Sequence, residues 1–145
     1  MHIRNFEPTD IKSAAELYVK TFQQAPWSED NQVADIERHF QRLLSMNTAQ
    51  SWVLEVDHKI VGIALGFVRS WYRGEEYQLD TLCIDPEKQG QGYGKALIQA
   101  LQAELVANDV HAMILDTDRG MPAEKFYQKL AFTKLDDSVL YAIEF

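Results

Sequence analysis

The order of hydrophobic patterns along the chain predicts an α/β (α+β) fold: a mixed, mostly antiparallel central sheet of about six to seven strands, flanked by about four helices. Three observations support this. Two amphipathic helical patterns follow a single strand pattern near the amino terminus. Three stretches of β-branched and apolar residues separated by turn residues then fill the middle, as in an antiparallel meander. Beyond them helical and strand patterns alternate. With 145 residues, 46% of them apolar, the chain can close one core and has little left for another, so residues 1–145 are expected to form one domain.

Ile3 to Phe6 reads as a short strand, and Asp10 as the N-cap of a helix whose Ile11, Ala15, Tyr18 and Phe22 share a face. Pro26 interrupts. Val33, Ile36, Phe40, Leu43 and Leu44 form the apolar stripe of a second helix, with Glu37, Arg38 and Arg42 on its other sides. Ser51 to Val56 and Ile60 to Arg69 suit strands, joined by a tight hairpin of Asp57, His58 and Lys59, with Gly62 and Gly66 marking bends. After a polar connection containing Arg73 and Gly74, a strand is expected over Glu76 to Ile84, stopped by Pro86 and the glycines beyond it. Leu97, Ile98, Leu101 and Leu105 define a helix from Tyr93 that ends before Asn108. Ala112 to Leu115 is wholly apolar, as in a strand covered on both faces. Pro122 fits the first turn of a helix burying Ala123, Phe126, Tyr127 and Leu130. Ala131 to Leu135 and Ser138 to Ile143 read as a closing strand pair around Asp136 and Asp137.

Fourteen Lys and Arg against 22 Asp and Glu give a net charge of -8, which repels nucleic acid and anionic membranes on average. The single cysteine, Cys83, forms no intrachain disulfide, and His2, His39, His58 and His111 show no metal-ligand spacing, so no metal is expected. Arg4, Glu7, Asp10 and Lys12 break any signal-peptide core, and the longest uncharged apolar run, Ile60 to Val68, is far short of a bilayer span. A cytoplasmic protein is the expectation.

The segment from Asp85 to Lys95 joins a strand to a helix, with Gly90, Gly92 and Gly94 at alternate positions. Glycines there let a ligand approach main-chain N–H groups, and the unpaired N–H groups of a helix start favour an anion such as phosphate. Two nucleotide motifs fail by counting. A Walker loop would need glycine at Gln89 and Ser or Thr at Ala96, and a dinucleotide fingerprint starting at Gly90 would need glycine at Lys95.

What remains is Gln89, Gly92 and Gly94 in a Gln/Arg-x-x-Gly-x-Gly/Ala pattern, preceded by Leu82, Ile84, Asp85 and Pro86. This resembles the coenzyme A pyrophosphate loop of the GNAT superfamily of acetyl-CoA-dependent N-acetyltransferases. Phe126 to Phe132 resembles that superfamily's second segment, a helix with a tyrosine and a Leu-Gly-Phe-type exit, and the element order matches over nearly the whole chain. Trp27 after Pro26 and a preceding Phe22 is also similar to small bacterial members grouped with aminoglycoside 6'-N-acetyltransferases. Two positions depart from the pattern: Gly120 stands where many relatives have asparagine, and Ala131 replaces the glycine after the last helix. A left-handed exit at alanine is strained by roughly 1 kcal/mol or more, so a different exit is expected.

The resemblance implies a sheet splayed between the fourth and fifth strands. It implies acetyl-CoA as cosubstrate, its arm and thioester along the backbone of Leu82, Cys83 and Ile84 and its pyrophosphate on Gln89, Gly90, Gln91, Gly92, Tyr93, Gly94 and Lys95. Tyr127 matches the general acid that protonates the departing thiolate. For the base, Asp80 and Asp116 lie near the ends of adjacent expected strands, with Glu76 nearer the acceptor side. Cys83 is read as a buried small hydrophobe rather than a nucleophile, and His111 as structural. Trp27, Glu29 and Asp30, with Trp71, Tyr72, Glu75, Glu76 and Tyr77, combine aromatic faces and carboxylates that suit a small cationic amine; a solvated loop or a homodimer contact is the alternative use of those stretches. The competing functions are protein or peptide N-acetylation, which needs an open groove, and acetyl-CoA sensing without turnover, against which Tyr127 argues.

Overall fold

The computed structural model describes all 145 residues, which group into two compact units, 1–115 and 116–145. The first holds β1 (His2–Asn5), α1 (Ile11–Phe22), α2 (Val33–Leu44), β2 (Ala49–Val56), β3 (Lys59–Trp71), β4 (Gly74–Ile84), α3 (Tyr93–Ala107) and β5 (Met113–Ile114). Its sheet runs β1-β2-β3-β4-β5, antiparallel throughout except for the parallel β4–β5 pair. The second contains α4 (Pro122–Lys129).

Alternation along the strands separates two faces. Val53, Ile63, Leu65 and Cys83 meet Ala14, Ala15 and Leu17 of α1 and Ile36, Phe40 and Leu43 of α2 in one buried cluster. On the other face Trp52 donates its indole N–H to Glu104 of α3 at 2.6 Å, and Leu97, Ile98, Leu101 and Leu105 are buried. Gly62 and Gly66 are places of close approach: a Cβ at Gly62 would stand 2.7 Å from Ile84 Cδ1, and one at Gly66 would collide with the Gln78 carbonyl oxygen and the Tyr77 ring.

Several expectations need correction. The β2–β3 turn is two residues long, since Val56 pairs with Lys59, and Asp57 and His58 take φ of +52° and +61°. Asp10 does not cap α1 with its side chain; it accepts from the Glu7 N–H at 2.8 Å and from Arg4, closing the preceding turn at Pro8–Asp10. The sheet has five strands, not six to seven. Residues 131–145 form no strand, and Val139, Leu140, Tyr141 and Ile143 are 70–92% exposed. Their alternation marks residues able to line one side of a sheet, whereas a strand also needs a hydrogen-bonding neighbour, and no ladder supplies one. For the same reason the strand expected at Ala112 to Leu115 shrinks to half-buried Met113 and Ile114, paired only with Tyr77 and Gln78. The apolar side of α4 is half-buried rather than buried, and His111 is exposed against Asp109. Ala131 keeps the left-handed exit, with φ at +65°.

Candidate active site

Beyond β4 the chain turns through Pro86–Lys88, and Asp85 fixes that turn by accepting the Glu87 N–H at 3.0 Å and the Lys20 ammonium at 2.8 and 3.0 Å. Burial raises the Asp85 pKa, but the Lys20 and Glu87 hydrogen bonds outweigh it and hold the carboxyl below its usual range. Gln89 donates to the Ile84 carbonyl at 3.0 Å, tying the loop back to the strand end. Gly90 and Gly92 have φ of +75° and +85°, and a Cβ at either would meet nothing within 4 Å, so glycine is needed there for its backbone conformation. Gly92 is the N-cap of α3 and caps it with no side chain. The first N–H groups of that helix, those of Tyr93, Gly94 and Lys95, therefore face a loop without Cβ atoms at Gly90 and Gly92, an arrangement that fits a pyrophosphate.

The second feature is an open strand edge. β4 pairs with β5 only at Tyr77 and Gln78, so the stretch from Leu79 to Ile84, including Leu82, Cys83 and Ile84, has no partner in β5. An extended ligand arm with amide groups can use such an edge. The register also slips at this point: Leu65 faces Thr81 and Gly66 faces Leu79, leaving Asp80 as the extra residue of a β-bulge. Asp80 consequently points to the α1/α2 side, where its Oδ2 meets His39 Nε2 of α2 and the Thr81 hydroxyl, each at 2.8 Å.

Tyr18 of α1 packs on Phe22 at 4.5 Å and against Phe40, and Trp27 meets Phe22 edge-on at 5.3 Å. Burial, reinforced by the charges of Glu29 and Asp80, pushes the Tyr18 phenol up to about 12. Tyr18, Phe22, Trp27, Glu29, His39 and Asp80 thus belong to one neighbourhood. The sequence named Trp27, Glu29 and Asp80 as site candidates and did not name His39 or Tyr18, which the structure brings beside them. Tyr18 sits in an apolar helical stripe and His39 beside one, where periodicity alone does not distinguish a packing residue from one facing a site.

The other sequence-based candidates are placed as follows. Trp71 and Tyr72 are exposed at the β3–β4 tip, covered by the protein's own Arg69 and Arg73 guanidinium groups at 5.4 and 5.1 Å. Glu76 is buried and paired with Arg69 at 2.6 Å. Cys83 is buried, and its thiol is pushed up to about 12 by burial, against a thiolate nucleophile. Asp116 and Tyr127 belong to the second unit; Asp116 is exposed, and the half-buried Tyr127 ring meets Phe126 and Phe132 edge-on at 5.1 and 5.2 Å. No three metal-ligating side chains are grouped, and no helix is long and apolar enough to cross a membrane.

An uncapped helix start behind a glycine turn and a parallel strand pair that parts after two residues are the features that the resemblance to coenzyme-binding acyltransferases implies. Residues 11–132 match the family described as Acetyltransferase (GNAT) family, and the chain belongs to it. The match runs across both units, and enzymes of this family use acetyl-CoA. A mycothiol acetyltransferase of Arthrobacter sp. (strain FB24) is 42% identical over 69 residues, 47% of this chain and 20% of that protein's length. In fold, the chain is similar to a ribosomal-protein-alanine N-acetyltransferase from Brucella melitensis biovar Abortus 2308 (TM-score 0.78, 21% identity, 100% of both chains). It is also similar to an aminoglycoside acetyltransferase from an uncultured soil metagenomic sample (TM-score 0.77, 22% identity, 99% of this chain and 95% of that one).

Proposed function

We propose that this acetyltransferase moves the acetyl group of acetyl-CoA directly to a primary amine of a small cationic molecule, a polyamine or an aminoglycoside-like compound. The observation that carries the reading is the grouping of carboxylates Glu29 and Asp80 with the Tyr18, Phe22 and Trp27 rings, beside a β4 edge left unpaired for the acyl donor. A cation is attracted by such carboxylates and aromatic faces, and the net charge of -8 adds a long-range pull. That one fold neighbour is an aminoglycoside acetyltransferase agrees with this reading.

In this reading Gln89 to Lys95 bind the pyrophosphate and the Leu82 to Ile84 backbone holds the arm. Bound there, the coenzyme supplies an acetyl thioester as electrophile. Tyr127 protonates the leaving sulfur, and a base on the acceptor side, for which Asp80 and Asp116 are the sequence-based candidates, frees the amine lone pair directly or through water. We place the enzyme in the cytoplasm, on its single buried thiol. Peptide N-acetylation is the second reading, favoured by the similarity to the ribosomal-protein-alanine enzyme. Coenzyme release measured over a panel of polyamines, aminoglycosides, neutral amines and peptide amino termini separates the two: cationic small amines are expected to give the highest kcat/KM, and a peptide or neutral amine at the top of the panel defeats the proposal.

A further inference from the structure

We propose that His39, oriented by Asp80, takes the proton from the acceptor amine, so that Asp80 is a positioning residue and not itself the base. This rests on the acetyltransferase reading above and assigns its acceptor-side chemistry to a residue on α2.

The bulge is the starting point. Thr81 lies opposite Leu65, whose side chain belongs to the α1/α2 core, and the extra residue Asp80 reaches the same side to meet His39. Asp80 Oδ2 thereby faces two donors at 2.8 Å, the His39 ring and the Thr81 hydroxyl, and no Lys or Arg pairs with it. A carboxylate oxygen held this way is fixed in direction, and one of its two oxygens is already engaged, which leaves it poorly placed to collect a substrate proton. The imidazole is placed better. A carboxylate accepts only, so its contact assigns the N–H to Nε2 and leaves the Nδ1 lone pair as the acceptor. The ring is 46% exposed on its side chain and flanked by Phe40, so a solute can reach it while Asp80 sets its tautomer, and no protein group bonds Nδ1.

The surroundings are those an amine would meet. From α1 comes the Tyr18 phenol, which feels the charges of Glu29 in the loop after it and of Asp80 on β4. On α2 itself, Asp35 and Arg38 pair with each other at 2.9 Å. The unpaired edge of β4 begins at Leu79, one residue before Asp80, so the acyl donor's expected track starts beside the dyad. An imidazole is also a stronger base than a carboxylate and accepts an ammonium proton more readily. The step balances. An N–H bond of the ammonium breaks and its proton goes to Nδ1; the freed lone pair forms the amide C–N bond as the thioester C–S bond breaks. Tyr127 gives its proton to the departing sulfur and is reprotonated by the amine's second proton, and the proton on His39 passes to solvent.

The test begins with the wild-type enzyme and its best amine. Replacing His39 by Gln retains a donor toward Asp80 but no titrating nitrogen. H39Q and H39A are both expected to lower kcat by about 10²- to 10⁴-fold with the acetyl-CoA KM unchanged, and exogenous imidazole should restore part of the H39A rate. Asp80→Asn should lower kcat less. A readout without substrates goes alongside: nitrogen-15 spectra of the free protein should show His39 protonated at Nε2, and Asp80→Asn should mix its tautomers. If the wild type is active while H39Q keeps its rate within about twofold, or if the free ring carries its proton on Nδ1, the proposal is wrong. If the wild type binds acetyl-CoA yet acetylates no amine, the function reading fails and takes the proposal with it. A variant that melts early is overruled by the other, since only one of H39Q and H39A needs to fold.

Discussion

Two of the charged clusters anchored on the sheet of the first unit differ in what they leave unused. Around Arg4 every strong group has a partner: the guanidinium donates to Asp10 at 2.8 and 3.0 Å, to Glu55 at 2.7 and 3.2 Å and to the Asn5 carbonyl at 3.0 Å, while Asp10 also takes the Glu7 N–H. Around Asp80 the network stops one atom short, at the second nitrogen of His39. A groove of about 460 Å³ runs beside the first cluster, lined by Arg4, Glu16, Lys20 and Asp85 among others. Its size invites a functional reading, but two of its three Lys and Arg side chains are already paired: Arg4 with Asp10 and Glu55, and Lys20 with Asp85 and Glu87. A closed network gives stability, and an open one leaves an atom for a reactant. Cavity volume does not distinguish them.

The largest effect that could break this contrast lies in the second unit. Tyr127→Phe keeps the ring's packing against Phe126 and Phe132 and deletes its hydroxyl. Under the proposed mechanism kcat falls about 10²- to 10⁴-fold with coenzyme affinity preserved. Rates within twofold of wild type would make Tyr127 a packing residue and leave the acid role empty.

Next comes the coenzyme loop. Gly92 at φ +85° makes a β-branched replacement strained in itself, so Gly92→Asn is the cleaner probe, because asparagine tolerates that conformation while adding a side chain at the α3 start. Calorimetry is expected to show acetyl-CoA binding weakened at least about tenfold, roughly 1.4 kcal/mol, in a folded protein. Unchanged affinity would move the pyrophosphate elsewhere.

Arg4→Met tests the closed cluster. It strands Asp10, which is 7% exposed, and should cost about 2 kcal/mol, less than a fully buried pair because Arg4 keeps part of its side chain in water. Catalytic constants should not move, the reverse of His39→Gln. The acid limb carries a sign as well. The Arg4 hydrogen bonds outweigh the cost of burial and hold the Asp10 carboxyl below its usual range, so its stabilisation is complete above the unfolded value of about 3.9 and is lost as pH falls through the lower folded value. Thermal melts between pH 5 and pH 2 should therefore fall steeply in wild type and more gently in Arg4→Met.

The same contrast explains what was legible beforehand. The stripes of α1, α2 and α3, the three-strand meander and the glycine turn before α3 follow from periodicity and local backbone preference, and each stands within a few residues of its expected place. Asp80 was visible as a carboxylate near a strand end, but the bulge that turns it toward α2 is a difference in length between two strands, and no pattern within β4 records it. His39 was therefore grouped with unconnected histidines. The expected strands after Ala131 failed for a related reason: alternation describes one strand's faces, while a strand's existence depends on a partner elsewhere.

The smallest expected effect concerns Ala131, where the structure keeps a glycine-like exit without a glycine. The residue is exposed, so its methyl group contributes no burial, and at φ +65° it carries a strain of about 1 kcal/mol. Ala131→Gly removes that strain but gives the unfolded chain more freedom, worth about 0.4–1 kcal/mol in the opposite direction. The net change should be a stabilisation of no more than about 0.5 kcal/mol, read as a melting temperature raised by a degree or two. Neither cluster in the first unit has reason to respond, so the rates and the Arg4-dependent acid limb should match wild type. A loss above about 1 kcal/mol would show instead that the Ala131 methyl group packs against something, and that the turn from Leu130 to Phe132 is held by more than its hydrogen bonds from Ala131 and Phe132 to Gln128 and Tyr127.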